Sequence, residues 1–202
     1  MNMPMTHCLL ALIFLSLATS ARLRAADIPL NNGDFELPPT GAKESEQDPM
    51  AWGTFSSAKE TAGISTLVAH GGSQCARLIV PTGSAAEANQ GIYQIVPITP
   101  GKKYTFTVYV RGDSSSPLVG SVRGQISIEW KDGSDEKKEI DRTWGPDWGA
   151  SLSSKEWTKV KITGRAPDKA SFAAMVVTQF VGPNPSETSG VFYVDDATVT
   201  EE

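Results

Sequence analysis

Trp144 and Trp148 bracket Gly145-Pro146-Asp147 within the stretch RTWGPDWGASLSS, residues 142–154. The Gly-Pro content of that stretch predicts a loop. An exposed indole there would offer a flat apolar face to the C–H face of a pyranose ring. A buried one would seal the end of a sheet, the commoner use of large aromatics in small domains. Runs of alternating polarity present a second set of groups: Tyr109, Arg111, Gln125, Glu129 and Gln179. Phenol, guanidinium, amide and carboxylate groups on a sheet face are what a hydroxyl-rich ligand needs from a cleft floor. Cleavage of a glycosidic bond needs more, namely two carboxylates facing each other across a cleft. Glu129 could pair with Asp132, in the hairpin that follows it, or with Glu139, in a Lys-rich run. No pattern brings either pair together, so no catalytic residue is assigned.

The chain has 202 residues, with 18 Lys and Arg against 23 Asp and Glu, two Cys and two His. Leu9 to Ala18 is apolar apart from Ser16, and small residues follow as far as Ala21. That pattern reads as a secretory h-region with a cleavage region behind it, too short to span a bilayer as a mature helix. Cleavage after Ala21 and cleavage after Ala26 both fit, so residues 1–26 are read as a signal peptide. The remainder, 27–202, is expected to be one exported domain: extracellular, periplasmic or at the cell surface. The leader takes His7 and Cys8 with it and leaves His70 and Cys75. No internal disulfide, His/Cys zinc site, haem attachment or iron–sulfur cluster can then be assembled. A nucleophile–histidine triad would rest on His70 alone. The formal net charge of −5 and the lack of a basic stripe in the sequence make nucleic acid an unsuitable partner. No second apolar run reaches membrane length, so no membrane insertion is expected after cleavage, and a monomer is expected.

Nearly every strong pattern has period two. Tyr104, Phe106, Val108 and Val110 alternate with Thr105, Thr107, Tyr109 and Arg111; Ile126, Ile128 and Trp130 alternate with Gln125, Ser127 and Glu129. Such runs read as half-buried strands. Further strands are predicted at 50–56, 63–68, 75–80, 91–96, 157–163 and 171–180, and near Phe192–Val194. Turn chemistry separates them at Gly71-Gly72-Ser73, Pro100-Gly101, Asp132-Gly133 and Ala166-Pro167. About ten short strands without a sustained helical stripe indicate an all-β, antiparallel sandwich or jelly roll. The acidic, proline-bounded 38–49 stretch reads as a solvated loop, and Arg111-Gly112-Asp113 as turn chemistry at a strand end.

The order of landmarks resembles the carbohydrate-binding modules of families 4, 9 and 22, in the galactose-binding-like β-sandwich group. The stretches that carry it are Asn31-Asn32-Gly33-Asp34-Phe35-Glu36, Trp52, the run from His70 to Leu78, Gln94-Ile95, Pro100 to Gly112, Trp157 to Val160, and Phe192 to Ala197. The resemblance implies binding of a poly- or oligosaccharide by a non-catalytic module that targets an enzyme, such as a glycoside hydrolase, or the cell. It also implies a structural calcium held by Glu36 and Asp195, with the carbonyl of Asp34 and one in the 72–74 turn. Calcium takes six to eight hard oxygen ligands, which suits such a set. Two alternatives stay open: a polysaccharide-degrading hydrolase or lyase on a jelly-roll fold, and an envelope adhesion domain. Fold by itself does not choose among them.

Overall fold

A computed structural model describes residues 25–37, 51–56 and 61–202. Most of the predicted leader and the acidic 38–49 stretch lie outside the described residues. Among the described residues eleven strands follow in order: β1 Ala26–Ile28, β2 Gly53–Phe55, β3 Ala62–Ser65, β4 Cys75–Val80, β5 Asn89–Pro97, β6 Lys103–Gly112, β7 Arg123–Asp132, β8 Asp135–Trp148, β9 Thr158–Arg165, β10 Ala170–Phe180 and β11 Gly190–Glu201. They form two antiparallel sheets. The first has the order β3-β4-β11-β6-β9, with β1 also paired to β11; the second has the order β2-β5-β10-β7-β8. No helix among the described residues is long and apolar enough to cross a membrane.

Period-two patterning decides which side chains meet between the sheets. Tyr104, Phe106, Val108 and Val110 of β6 face Ile126, Ile128 and Trp130 of β7 and Met175 and Val177 of β10, all fully buried. Tyr104 and Trp130 meet edge to face, 6.1 Å between ring centroids, and join the two sheets. Burial of each such side chain contributes about 1.5–3 kcal/mol. Cys75 is buried as well, and burial pushes its thiol up to about 12, as suits a small apolar filler rather than a reactive group.

The stretch predicted as a loop at 142–154 is largely strand. β8 runs through Trp148 and pairs with β7 along its length, because the outer edge of β7 offers backbone donors and acceptors that need partners. Pro146 is tolerated since β8 is itself an edge. The accommodation is a bulge. Gln125 pairs with Asp147 but Ser127 pairs with Trp144, so β8 holds one residue more than β7 across this step. Trp144 and Trp148, four apart, would share a face in a regular strand; the bulge sends them to opposite faces. A second irregularity sets Trp130 opposite Asp141 and Lys131 opposite Glu139. It brings Glu139 and Arg142, three apart, to the same outer face.

The binding role expected for Trp148 is therefore corrected. Its indole is 8% exposed, packs edge-on to Phe192 at 5.4 Å, and belongs to the core. It lies flat against Gly124, where an added Cβ would come within 2.2 Å of the ring.

Candidate functional site

The outward face of the second sheet forms a groove of about 400 Å³, within the range of small-ligand sites. Its floor is Ala174, Val176 and Thr178 of β10, the central strand. Phe55, Tyr93, Trp144 and Phe180 supply aromatic walls, and Glu129, Lys131 and Arg142 gather towards one end. Two glycines make room for the rings on the β2 side. Tyr93 pairs with Gly53 and Phe55 with Gly91. A Cβ on Gly53 would meet the Tyr93 ring at 2.7 Å, and one on Gly91 the Phe55 ring at 2.9 Å. Each ring thus lies across the strand opposite, as aromatic side chains do over a facing glycine. On the other side Trp144 is 52% exposed. Its ring is 6.5 Å from Phe180, and the Arg142 guanidinium carbon stands 4.5 Å from its centroid.

The charged end is a closed set of ion pairs. Arg142 donates from Nε to Glu139 Oε1 at 2.9 Å and from Nη2 to Glu139 Oε2 at 2.6 Å. The same Nη2 lies 2.7 Å from Glu129 Oε1. Lys131 Nζ donates to Glu129 Oε2 at 2.7 Å and stands 4.0 Å from Glu139. The bonds from Arg142 outweigh partial burial and hold the Glu139 carboxyl below its ordinary value. Glu129 and Glu139 share one guanidinium nitrogen, so they do not oppose each other across the cleft as a glycosidase pair would.

Of the residues singled out in the sequence, Trp144 and Glu129 line this groove. Gln125 shares its face and donates to the Gly145 carbonyl at 2.8 Å, tying down the bulge. Gln179 is fully buried on the inner face, where it accepts from Gln90 Nε2 at 3.2 Å. Tyr109 and Arg111 lie on the other sheet. Tyr109 stacks on His70, centroids 3.7 Å apart, and Arg111 donates to the Ser154 carbonyl at 2.9 Å. Phe55, Tyr93, Lys131, Arg142 and Phe180 escaped the sequence reading. Gly-aromatic cross-strand pairs were the one available signal for the first two.

Glu36 and Asp195 meet at the turn 70–74, on the first sheet. The segment carrying Glu36 is pinned where Ala197 donates to the Gly33 carbonyl at 2.7 Å, and a Cβ on Gly33 would collide with Ala197 O. Trp52 Nε1 donates to the Asn32 carbonyl, and Phe35 packs on the Trp52 ring. Glu36 accepts the backbone N–H groups of Ser73 and Gln74 at 2.8 and 2.7 Å and the Ser73 hydroxyl at 2.9 Å. The first of these bonds does most to lower its pKa. Gly72 has φ +59°, and a side chain there would strike the Glu36 carboxylate. Asp195 is fully buried and accepts N–H groups from His70, Gly71 and Asp196. Burial nonetheless raises its pKa to about 6. Asp34 is exposed on the same segment, its carboxylate 3.4 Å from the Glu36 N–H. Among the described residues no three carboxylate, imidazole or thiol side chains converge as a metal cluster.

A two-sheet sandwich with a groove of aromatic and hydrogen-bonding side chains across one sheet is the build of a sugar-binding domain. Residues 30–186 match the carbohydrate-binding domain family CBM 4/9, and the chain belongs to that family. No match was found among curated proteins. Solved structures share the fold at low identity. The CBM22-1–GH10 modules of endo-1,4-β-D-xylanase 10B from Clostridium thermocellum, complexed with xylohexaose, align with TM-score 0.53 and 18% identity over 75% of this chain. The match spans only 26% of that xylanase chain. The module TmCBM61, complexed with β-1,4-galactotriose, aligns with TM-score 0.56 and 13% identity over 87% of this chain and 99% of its own. A cyclase from Fischerella sp. TAU aligns equally well, with TM-score 0.56 and 16% identity over 89% and 98% of the two chains. The fold therefore hosts both binding and catalysis.

Proposed function

We propose that the protein is an exported, non-catalytic module that holds a poly- or oligosaccharide in the groove of the second sheet and directs an enzyme or the cell to it. The observation that carries this reading is Trp144, half exposed on a groove wall opposite Phe55 and Tyr93. Sugar rings stack on such faces, while Thr178, Glu129, Lys131 and Arg142 offer acceptors and donors for hydroxyls. Partnership with a glycoside hydrolase is supported by the xylanase neighbour, in which a module of this fold shares a chain with GH10. Export rests on the N-terminal apolar run; cleavage after Ala21 would leave β1 whole, which cleavage after Ala26 would not. The test is a glycan array with the secreted chain, followed by titration calorimetry. Binding to at least one glycan is expected, without turnover, and with loss of binding in Trp144→Ala. A blank array, or a Trp144→Ala protein that binds as well as wild type, would overturn the reading.

We further propose that calcium binds between Glu36 and Asp195, with the Asp34 carbonyl and a carbonyl of the 72–74 turn completing an oxygen set. Asp195 is buried with no cationic side chain in ion-pair reach among the described residues. The carboxylates keep lone pairs beyond those given to N–H donors, so the donor set fits a hard cation. The ion would supply positive charge that the buried carboxylate otherwise lacks, and would tie the first described segment to the last strand.

A further inference from the structure

We propose that Glu139 is a positioning residue for the groove: through Arg142 it fixes the indole of Trp144 so that only the ring face turned away from the guanidinium is open to a ligand. The part of this inference that concerns a ligand rests on the groove reading above. Glu139 is not a wall of the groove. It reaches the outer face because the irregularity between Trp130 and Lys131 inserts a residue into β8. There its carboxylate takes both Nε and Nη2 of Arg142, at 2.9 and 2.6 Å. A two-point bond of this kind holds the plane of a guanidinium as well as its position. That plane lies against the indole two residues further along, 4.5 Å from its centroid, in the range of cation–π contact. Arg142 thus occupies one face of Trp144 and is itself held from behind.

Without the fork, Arg142 keeps only the Nη2 contact to Glu129, the plane of its guanidinium is no longer fixed, and Trp144 is free to visit the three staggered wells of χ1. If only one well suits the ligand, the apparent dissociation constant rises by the inverse of its population, about threefold. The groups that face Glu139 are Arg142 on its own strand and Lys131 and Glu129 on β7.

The test is fluorine NMR of the full chain labelled with fluorotryptophan. The protein has five tryptophans, and Trp144→Phe identifies the resonance of interest. In the ligand-free protein, Glu139→Ala and Arg142→Ala are each expected to shift and broaden the Trp144 signal and leave the other four in place. The double variant should add nothing to Arg142→Ala. An unmoved Trp144 signal in Glu139→Ala would overturn the proposal. Movement of all five signals would also overturn it, in favour of a general role in folding. With xylohexaose as the probe, Glu139→Ala should weaken binding about threefold, and unchanged affinity would sink the ligand arm. Should the wild type not bind xylohexaose, the fluorine signals decide. A Trp144→Ala protein that binds like wild type would refute the groove reading yet leave the fluorine result standing.

Discussion

Trp144 and Trp148 sit four residues apart and call for opposite outcomes. Trp148→Ala empties a site packed on Phe192 and Gly124 and is expected to cost about 3–5 kcal/mol of stability. Trp144→Ala removes a half-exposed ring and should leave stability within about 1 kcal/mol while costing about 1–3 kcal/mol of glycan binding. Urea unfolding and calorimetry on the two single variants check this. Equal losses of stability would mean that both rings are packing groups. Asp113 holds the turn that follows β6. Burial pulls its carboxyl up, but the Tyr193 hydroxyl at 2.5 Å and the N–H groups of Ser116 and Ser115 hold it below its ordinary value. Tyr193 is pushed up to about 12, by burial first and then by that bond. The sign follows for each partner. A lowered carboxyl pKa stabilises the fold above the ordinary value of 3.8, and the contribution fades as pH falls through the folded value. A raised phenol pKa means that the native state keeps its proton longer, so stability falls as pH rises from 10 towards 12. Asp113→Asn should therefore melt lower than wild type near neutral pH, with the gap closing at both extremes. A pH-independent gap would contradict the assignment. The Arg-Gly-Asp tripeptide is accounted for by this turn.

At the scale of elements, β8 brings Arg142 and Trp144 to the groove. Its edge position tolerates Pro146 and three register shifts, and such shifts re-aim side chains that a regular strand would place elsewhere. The strands of the centre were legible because burial on one face enforces strict alternation: β4 was read to its true bounds, and β6, β7, β9 and β10 to within one to three residues at an end. β8 was not legible, because Gly-Pro dipeptides carry the same chemistry in a loop and in an edge-strand bulge. The predicted 142–154 loop holds only from residue 149 for that reason, and Trp148 follows the packing alternative. Gln179 was misplaced by another route. Alternation puts it on the inner face beside Val177 and Met175, where Gln90 satisfies part of its amide.

At the scale of the molecule, the first and last strands meet. β1 pairs with β11, and Glu36 and Asp195 converge on one turn, so a cation there would couple the ends of the domain. Binding to the native state alone stabilises by about 2.7 kcal/mol at a hundredfold excess over Kd, or about 5–10 °C in melting temperature for a domain of this size. Chelation should remove that increment and Glu36→Ala or Asp195→Ala should abolish the response to chelator; a melting curve blind to calcium would leave both carboxylates as turn-binding groups. The sequence by itself determined the all-β class, the inward residues of the central strands and the family, since period-two burial and ordered motifs are properties of the chain read locally. It also held two of the residues that line the groove, Trp144 and Glu129. Only the tertiary structure decided which sheet face carries the groove and that Tyr109 and Arg111 belong to the other one. It alone also brought Phe55, Tyr93, Phe180 and Arg142 together from four strands. Those facts depend on strand order and on bulges at an edge, where the register is set by pairing between strands distant in the chain rather than by any pattern along it.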